Sequence, residues 1–199
     1  MDHFRRGKPI DPERARRLPP GQALTEKWPV LHYGQVPKID LGTWRFRIEG
    51  LVRPERELTW EEFRALPTVT TRSDFHCVTR WSRLDNEWEG VATRDVLAQV
   101  EVLAEARFVM IYGENDFSAN VSLDEFVHDG CLFAWSHDGE PLTPMHGGPL
   151  RLIVPKLYAW KSAKWVTGIE LLARDRPGFW ERNGYHMHGD PWTEERFGG

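Results

Sequence analysis

Apolar and charged residues alternate along Trp44-Arg45-Phe46-Arg47-Ile48, the period of a strand with one buried face, and Gly50 ends the run. Thr59 followed three residues later by Glu62 spells a capping box, so a helix is expected from there until Pro67 closes it. Thr68 to Thr71 and Phe75 to Thr79 are β-branched or aromatic and predict extended chain. Thr93 is placed to cap a short helix through Val100, and Arg107 to Tyr112 read as a buried strand stopped by Gly113. The second half uses the same elements without repeating the sequence. Ser122 and Glu125 form a further capping box, and Cys131 to Trp135 form a strand before a turn at Asp138-Gly139. Leu150 to Val154, between Pro149 and Pro155, and Ile169 to Leu172 complete the strands.

Strands outnumber helices in this reading and the helices are short. The fold class expected is therefore α+β, mixed and β-rich, without the long crossover helices of a doubly wound sheet. Ahead of Pro29 the chain is polar and carries Pro9, Pro12, Pro19 and Pro20, which predicts an extended arm over residues 1–28 and a single domain over 29–199. With 199 residues, of which 40% are hydrophobic and 12% aromatic, the chain can bury one substantial core. A net charge of -4 argues against a nucleic-acid surface. No apolar run approaches the roughly 20 residues of a membrane helix, so no membrane insertion is expected. Met1 to Gly7 carry arginines with no apolar stretch behind them, which makes the cytoplasm the expected location. Two cysteines are too few for a disulfide scaffold and fit a reducing compartment.

Those two cysteines differ in context. Cys131 sits in an apolar run and reads as a small buried hydrophobe, whereas Cys77 lies in Asp74-Phe75-His76-Cys77-Val78-Thr79-Arg80-Trp81-Ser82, among groups able to support chemistry. Zinc is a poor fit, because His186-Met187-His188 lacks the two-to-four-residue spacing of structural zinc ligands. A cysteine nucleophile is a second candidate, but on a strand the neighbouring His76 points to the opposite face and serves poorly as its base. A third candidate is a thiolate ligating a transition metal held by a large anionic cofactor. Cations for its phosphate stand in His146-Gly147-Gly148-Pro149-Leu150-Arg151 and in Lys161-Ser162-Ala163-Lys164, with Arg151 offering a planar fork. Ordinary surface charge is the alternative reading of Lys161 and Lys164, evenly balanced for Lys161 taken alone.

Several separated motifs in one order carry a resemblance. Cys77-Val78-Thr79-Arg80-Trp81-Ser82, Trp88-Glu89-Gly90-Val91, His146 through Pro155 and Lys161-Ser162-Ala163-Lys164-Trp165 are similar to the molybdopterin domain of sulfite oxidases. The catalytic subunit of the periplasmic methionine sulfoxide reductase shares that order. The resemblance runs from Trp28 to Trp192 and implies a sulfite-oxidase-type molybdopterin-binding fold, expected here as the bare molybdenum module. It implies molybdopterin carrying molybdenum as cofactor, with Cys77 as metal ligand. His146, Arg151, Ser162, Ala163 and Lys164 match positions that hold the pterin and its phosphate, Ser162 and Ala163 through backbone groups. His32 and Tyr33, in Leu31-His32-Tyr33-Gly34, fall on the early pterin loop. Tyr185 matches the tyrosine that hydrogen-bonds the metal's oxo group and the substrate in sulfite oxidases.

The chain departs from the family pattern at two arginine positions, where Leu31 and Ser82 stand instead. Arg80 or Arg83 are the candidates to restore that charge. The implied activity is two-electron oxygen-atom transfer on a small sulfur or nitrogen oxide, with a small-molecule substrate and an unidentified electron donor or acceptor such as a soluble cytochrome. Trp81, Trp88, Trp135, Trp160 and Trp165 are candidates to wall the pterin, with core packing as the alternative for each, and His186 and His188 to relay protons. A non-catalytic cofactor-binding or docking module, and a metal-free thiol enzyme at Cys77, stay open beside this reading.

Overall fold

The computed structural model describes residues 11–198. In chain order its strands are β1 (Ala23–Leu24), β2 (Arg45–Gly50), β3 (Val52–Arg53), β4 (Arg56–Thr59), β5 (Thr68–Cys77), β6 (Trp81–Ala92) and β7 (Glu101–Val102). They continue as β8 (Phe108–Gly113), β9 (Ser118–Ser122), β10 (Leu132–His137), β11 (Glu140–Pro141), β12 (Arg151–Ile153) and β13 (Val166–Leu172). The helices are one or two turns long: α1 (Pro12–Arg16), α2 (Trp60–Arg64), α3 (Thr93–Leu97), α4 (Leu123–Phe126) and α5 (Phe179–Arg182).

One sheet runs β1-β6-β10-β11, with β5 also on β6 and β12 also on β10; a second runs β4-β2-β13-β8-β9. The larger core lies where side chains of both sheets meet, as where the Phe46 and Phe133 rings cross edge to face at 5.1 Å. A smaller core contains Phe75, Cys77, Trp88, Leu132, Ala134 and Ile153, with Trp28 and Trp81 packed on it. Strand β10 serves both: Phe133 and Trp135 enter the larger core, Leu132 and Ala134 the smaller, as the two-residue period requires. That is why its sequence reads as an unbroken apolar run.

Helix α2 carries the full capping box, Thr59 Oγ1 accepting from Glu62 N at 3.2 Å and Glu62 Oε2 from Thr59 N at 2.8 Å. Ser122 accepts from Glu125 N at 3.3 Å, but the Glu125 carboxylate returns to the Ser122 hydroxyl rather than to its backbone, so that box is half formed. Thr93 does not cap α3. Ala92 holds that position with no side-chain bond, and the buried Thr93 hydroxyl donates across to Phe126 O. In the proline-rich arm, Pro12–Arg16 is helical because Asp11 caps it and Pro12 suits a first helical position.

Two strands go beyond the sequence pattern. The buried positions of β6 include Ser82 and Asn86, so an apolar count misses its alternation. Both are satisfied: Ser82 Oγ lies 2.8 Å from His76 Nδ1, and Asn86 Nδ2 donates to Arg83 O at 2.8 Å. Strand β9, Ser-Ala-Asn-Val-Ser, is hidden in the same way.

Candidate active site

Cys77 is the last residue of β5, paired across the hairpin with Trp81. Its Sγ lies 3.1 Å from Thr79 Oγ1, and the side chain is buried at the floor of a cavity of about 290 Å³. His76 points the other way, into its bond with Ser82, and burial pushes its pKa down to about 4. A thiol with a neutral, averted neighbour has no general base beside it in sequence.

The opposite wall comes from the turn after β11. Thr143 caps a 3-10 turn over Pro144–His146, and Gly147 follows with φ 104°, a conformation that favours glycine. A methyl on Gly148 would overlap the Leu142 carbonyl, so both glycines let the chain fold tightly back into β12. Arg151, the first residue of β12, is thereby delivered into the cavity. It is 4% exposed, with its guanidinium 5.0 Å from the Phe75 ring and 5.5 Å from that of Trp28. Nη1 donates to His146 O at 2.9 Å, while Nε is buried with no partner and no carboxylate pairs with the group among the described residues. Burial pushes its pKa down to about 9. A guanidinium held without an anion at a cavity wall is a site prepared to receive one.

Lys164 joins it. Burial, then the Arg151 charge, push its pKa down to about 7, and Nζ donates to Leu31 O at 2.8 Å and Met145 O at 2.7 Å. Ser162 and Ala163 line the same wall; Ser162 Oγ accepts from Val154 N at 3.0 Å and Ser162 N donates to Ala159 O at 3.1 Å, while Ala163 O accepts from Leu152 N at 2.9 Å. Lys161 is neither surface charge nor a cavity cation. It is fully buried on the far side, 2.7 Å from Glu181 Oε1 and 2.7 Å from Asn120 Oδ1.

His146 lies flat on Trp28, the rings 4.0 Å apart and 21° from parallel. Its Nε2 is 3.2 Å from Trp28 O and its Nδ1 3.1 Å from Thr143 Oγ1, an arrangement in which Nε2 donates to the carbonyl. His32 lines the cavity near the Trp165 edge. Tyr33 does not; it is exposed, 5.7 Å from the Phe179 ring. Tyr185, beyond α5 and the Gly184 turn, does line it, its ring between Trp160 at 5.1 Å and Trp180 at 5.0 Å. Burial, then the nearby Cys77, push its pKa up.

Of the five candidate tryptophans, Trp81, Trp160 and Trp165 line the cavity, while Trp88 and Trp135 are core. Thr79, within the cysteine motif, lines it too, as do Trp28, Phe117 and Trp180, which escape a reading based on motifs; an aromatic just ahead of Pro29 was the one signal for Trp28. Neither Arg80 nor Arg83 restores the missing arginines. Arg83 is spent on His137 Nε2 at 2.9 Å and Asp138 Oδ2 at 2.5 Å, outside the cavity lining. His188 is likewise occupied away from the lining, by Glu125 at 2.6 Å and Glu195 at 2.7 Å, and His186 Nδ1 accepts from the backbone of His188 at 3.1 Å.

A β-rich fold in which one cavity joins a thiol, an unpaired buried guanidinium and a phenol among indoles suits a bulky anionic cofactor. The chain belongs to the oxidoreductase molybdopterin binding domain family, whose model matches residues 33–180. It is 46% identical over 192 residues to the uncharacterized oxidoreductase YuiH of Bacillus subtilis (strain 168), covering 96% of this chain and 97% of that protein. It is 26% identical to the sulfite oxidase of Arabidopsis thaliana, over 85% of this chain and 54% of the plant enzyme. The sulfane dehydrogenase SoxCD from Paracoccus pantotrophus superposes with a TM-score of 0.68 at 19% identity, covering 92% of this chain and 57% of that one, which shows a shared sulfite-oxidase-type molybdopterin fold.

Molybdopterin carrying molybdenum is the cofactor this family implies, and the residues present fit it. Arg151 and Lys164 offer charge to a phosphate, the indoles offer faces to a flat pterin, and Cys77 offers a soft ligand. Among the described residues no three His, Cys, Asp or Glu side chains gather to hold a metal by themselves, so a metal at Cys77 would need further ligands from the cofactor.

Proposed function

We propose that this oxidoreductase transfers an oxygen atom, with two electrons, to or from a small sulfur or nitrogen oxide. The observation that carries the reading is that Cys77, the unpaired Arg151 and Tyr185 open on one cavity. When bound, molybdopterin supplies the two-electron redox change. The chain's own residues bind and orient. Cys77 is the protein's ligand to the metal, and Arg151, Lys164, His146 and His32 hold the cofactor with the backbone of Ser162 and Ala163. Tyr33, exposed and outside the cavity lining, is left out of that set. Tyr185 points a hydroxyl, kept protonated by burial, at the substrate's oxygen and holds it by donating a hydrogen bond. The aromatic walls exclude water from that bond.

The substrate differs from that of a typical sulfite oxidase on this reading, since Leu31 lines the cavity where an arginine is expected and Ser82 is turned into its bond with His76. No helix among the described residues is long and apolar enough to cross a membrane. The reading places the protein in the cytoplasm with a soluble redox protein as electron partner, a setting that suits its two free thiols.

Metal analysis by plasma mass spectrometry, with pterin fluorescence, tests the reading on protein from a cofactor-synthesising host. Wild type is expected to hold about one molybdenum and one pterin per chain, and Cys77→Ser to lose the metal. Absence of both from wild type would sink the proposal and leave a thiol enzyme at Cys77. Turnover of sulfite with ferricyanide, against dimethyl sulfoxide or trimethylamine N-oxide with reduced viologen, then assigns direction and substrate class.

A further inference from the structure

The family match spans residues 33–180, yet the turn that presents Cys77 is held by side chains from both ends of the chain outside that span. Gln22 Nε2 donates to Cys77 O at 3.0 Å. Arg196 Nη1 donates to the next carbonyl, Val78 O, at 2.6 Å, and Nη2 to Pro20 O at 3.4 Å. Strand β1 lies beside the same turn, Ala23 N donating to Arg80 O at 2.9 Å.

Arg196 also belongs to the backbone that carries Tyr185. His186 N donates to Arg196 O at 3.3 Å, Gly198 N to Gly184 O at 3.0 Å, and Tyr185 forms a β-bridge with Phe197. One residue thus grips the cysteine turn by its side chain and the tyrosine segment by its main chain. The arrangement is costly. Arg196 is 6% exposed, its Nε is buried without a partner, and its guanidinium lies 4.9 Å from the Tyr158 ring. Its carboxylate neighbour, Glu194, stands 3.5 Å away and half in solvent. An apolar side chain would fill this place more cheaply, so the donors to Val78 O and Pro20 O are what an arginine adds here.

Resting on the roles proposed above for Cys77 and Tyr185, we propose that Arg196 is a positioning residue that fixes the metal-binding cysteine turn against the tyrosine segment. Gln22 is the second tie on that turn. Arg196 touches neither substrate nor cofactor; it acts through the two side chains it aligns.

The test uses Arg196→Met, Arg196→Lys and, as a control on the exposed partner, Glu194→Gln. Molybdenum-loaded protein, partly reduced, is read by electron paramagnetic resonance, whose g values follow the geometry at the metal. Cofactor-free protein from a host that cannot make molybdopterin is read by iodoacetamide labelling of Cys77 and Cys131. Arg196→Met is expected to shift the g values and to label at Cys77 about tenfold faster. Cys131 should keep its wild-type rate, Arg196→Lys should lie between, and Glu194→Gln should match wild type. Should Arg196→Met fail to fold, Arg196→Lys against wild type gives the same reading. Unchanged g values and Cys77 labelling would overturn the proposal, as would a parallel rise at Cys131, which would make Arg196 an ordinary latch. Wild type without molybdenum would instead sink the proposed function, and the labelling would still decide whether Arg196 holds the cysteine turn.

Discussion

Arg151 shows at the scale of one residue how a site is bought from stability. A buried guanidinium that bonds one carbonyl, lies against two rings and has a second cation, Lys164, nearby is held at a loss until an anion arrives. Arg151→Met should therefore raise the stability of the cofactor-free chain by about 1–3 kcal/mol while pterin content falls. Thermal melting with pterin fluorescence checks it, and a less stable variant would mean that Arg151 is structural. The two thiols make a second contrast. Cys131 Sγ donates to Glu125 O at 3.2 Å, and burial pushes its pKa up to about 12, so it stays an inert thiol. Cys131→Ala should lose about 1–2 kcal/mol in a urea titration and keep its molybdenum. Metal loss there would put the ligand on the wrong cysteine.

The elements divide by what holds them. The α2 capping box was legible at Thr59 and Glu62 because each partner of that box is three residues away. Thr93 misled for the opposite reason: its hydroxyl found Phe126, 33 positions on, and left the cap unmade. Strand β6 was illegible because polar residues on its buried face are satisfied by neighbours the strand itself assembles. Its packing leaves no slack at Gly90, where a methyl would overlap the Phe133 carbonyl of β10. Gly90→Ala should cost about 3 kcal/mol or more by forcing the central strands apart. Urea unfolding measures it, and a cost under about 1 kcal/mol would show that the β6 to β10 pairing yields easily.

Acid should act on the whole molecule through its buried histidines. His137 lies between Trp28 at 4.2 Å and Trp88 at 4.4 Å, and burial pushes its pKa down to about 4. His146 shifts the same way for the same cause. A depressed pKa means that the unfolded chain binds more protons between about pH 6.5 and 4, so stability is held above that window and lost as pH falls through it. Exposed His188 shifts up beside its two carboxylates and opposes this weakly, its stabilisation fading as pH rises past its folded value. Urea midpoints at pH 7 and 5 should therefore fall with acid, and His137→Gln should remove part of the fall. An equal fall in the variant would place the sensitivity elsewhere.

The sequence by itself determined the β-rich pattern, the short helices, and the order in which a cysteine, a glycine-arginine turn, a lysine and a tyrosine recur along the chain. Those are local facts, set by side-chain period and by partners a few residues apart. Only the tertiary structure decided that Lys164 faces the cavity while Lys161, three positions earlier, turns to Glu181. It also decided that Tyr33 stays outside, that Trp28 closes a wall on His146, and that Arg196 reaches the cysteine turn from the far end of the chain. The physical reason is that a side chain's direction and charge state depend on which distant groups complete its surroundings, and no window along the sequence contains them.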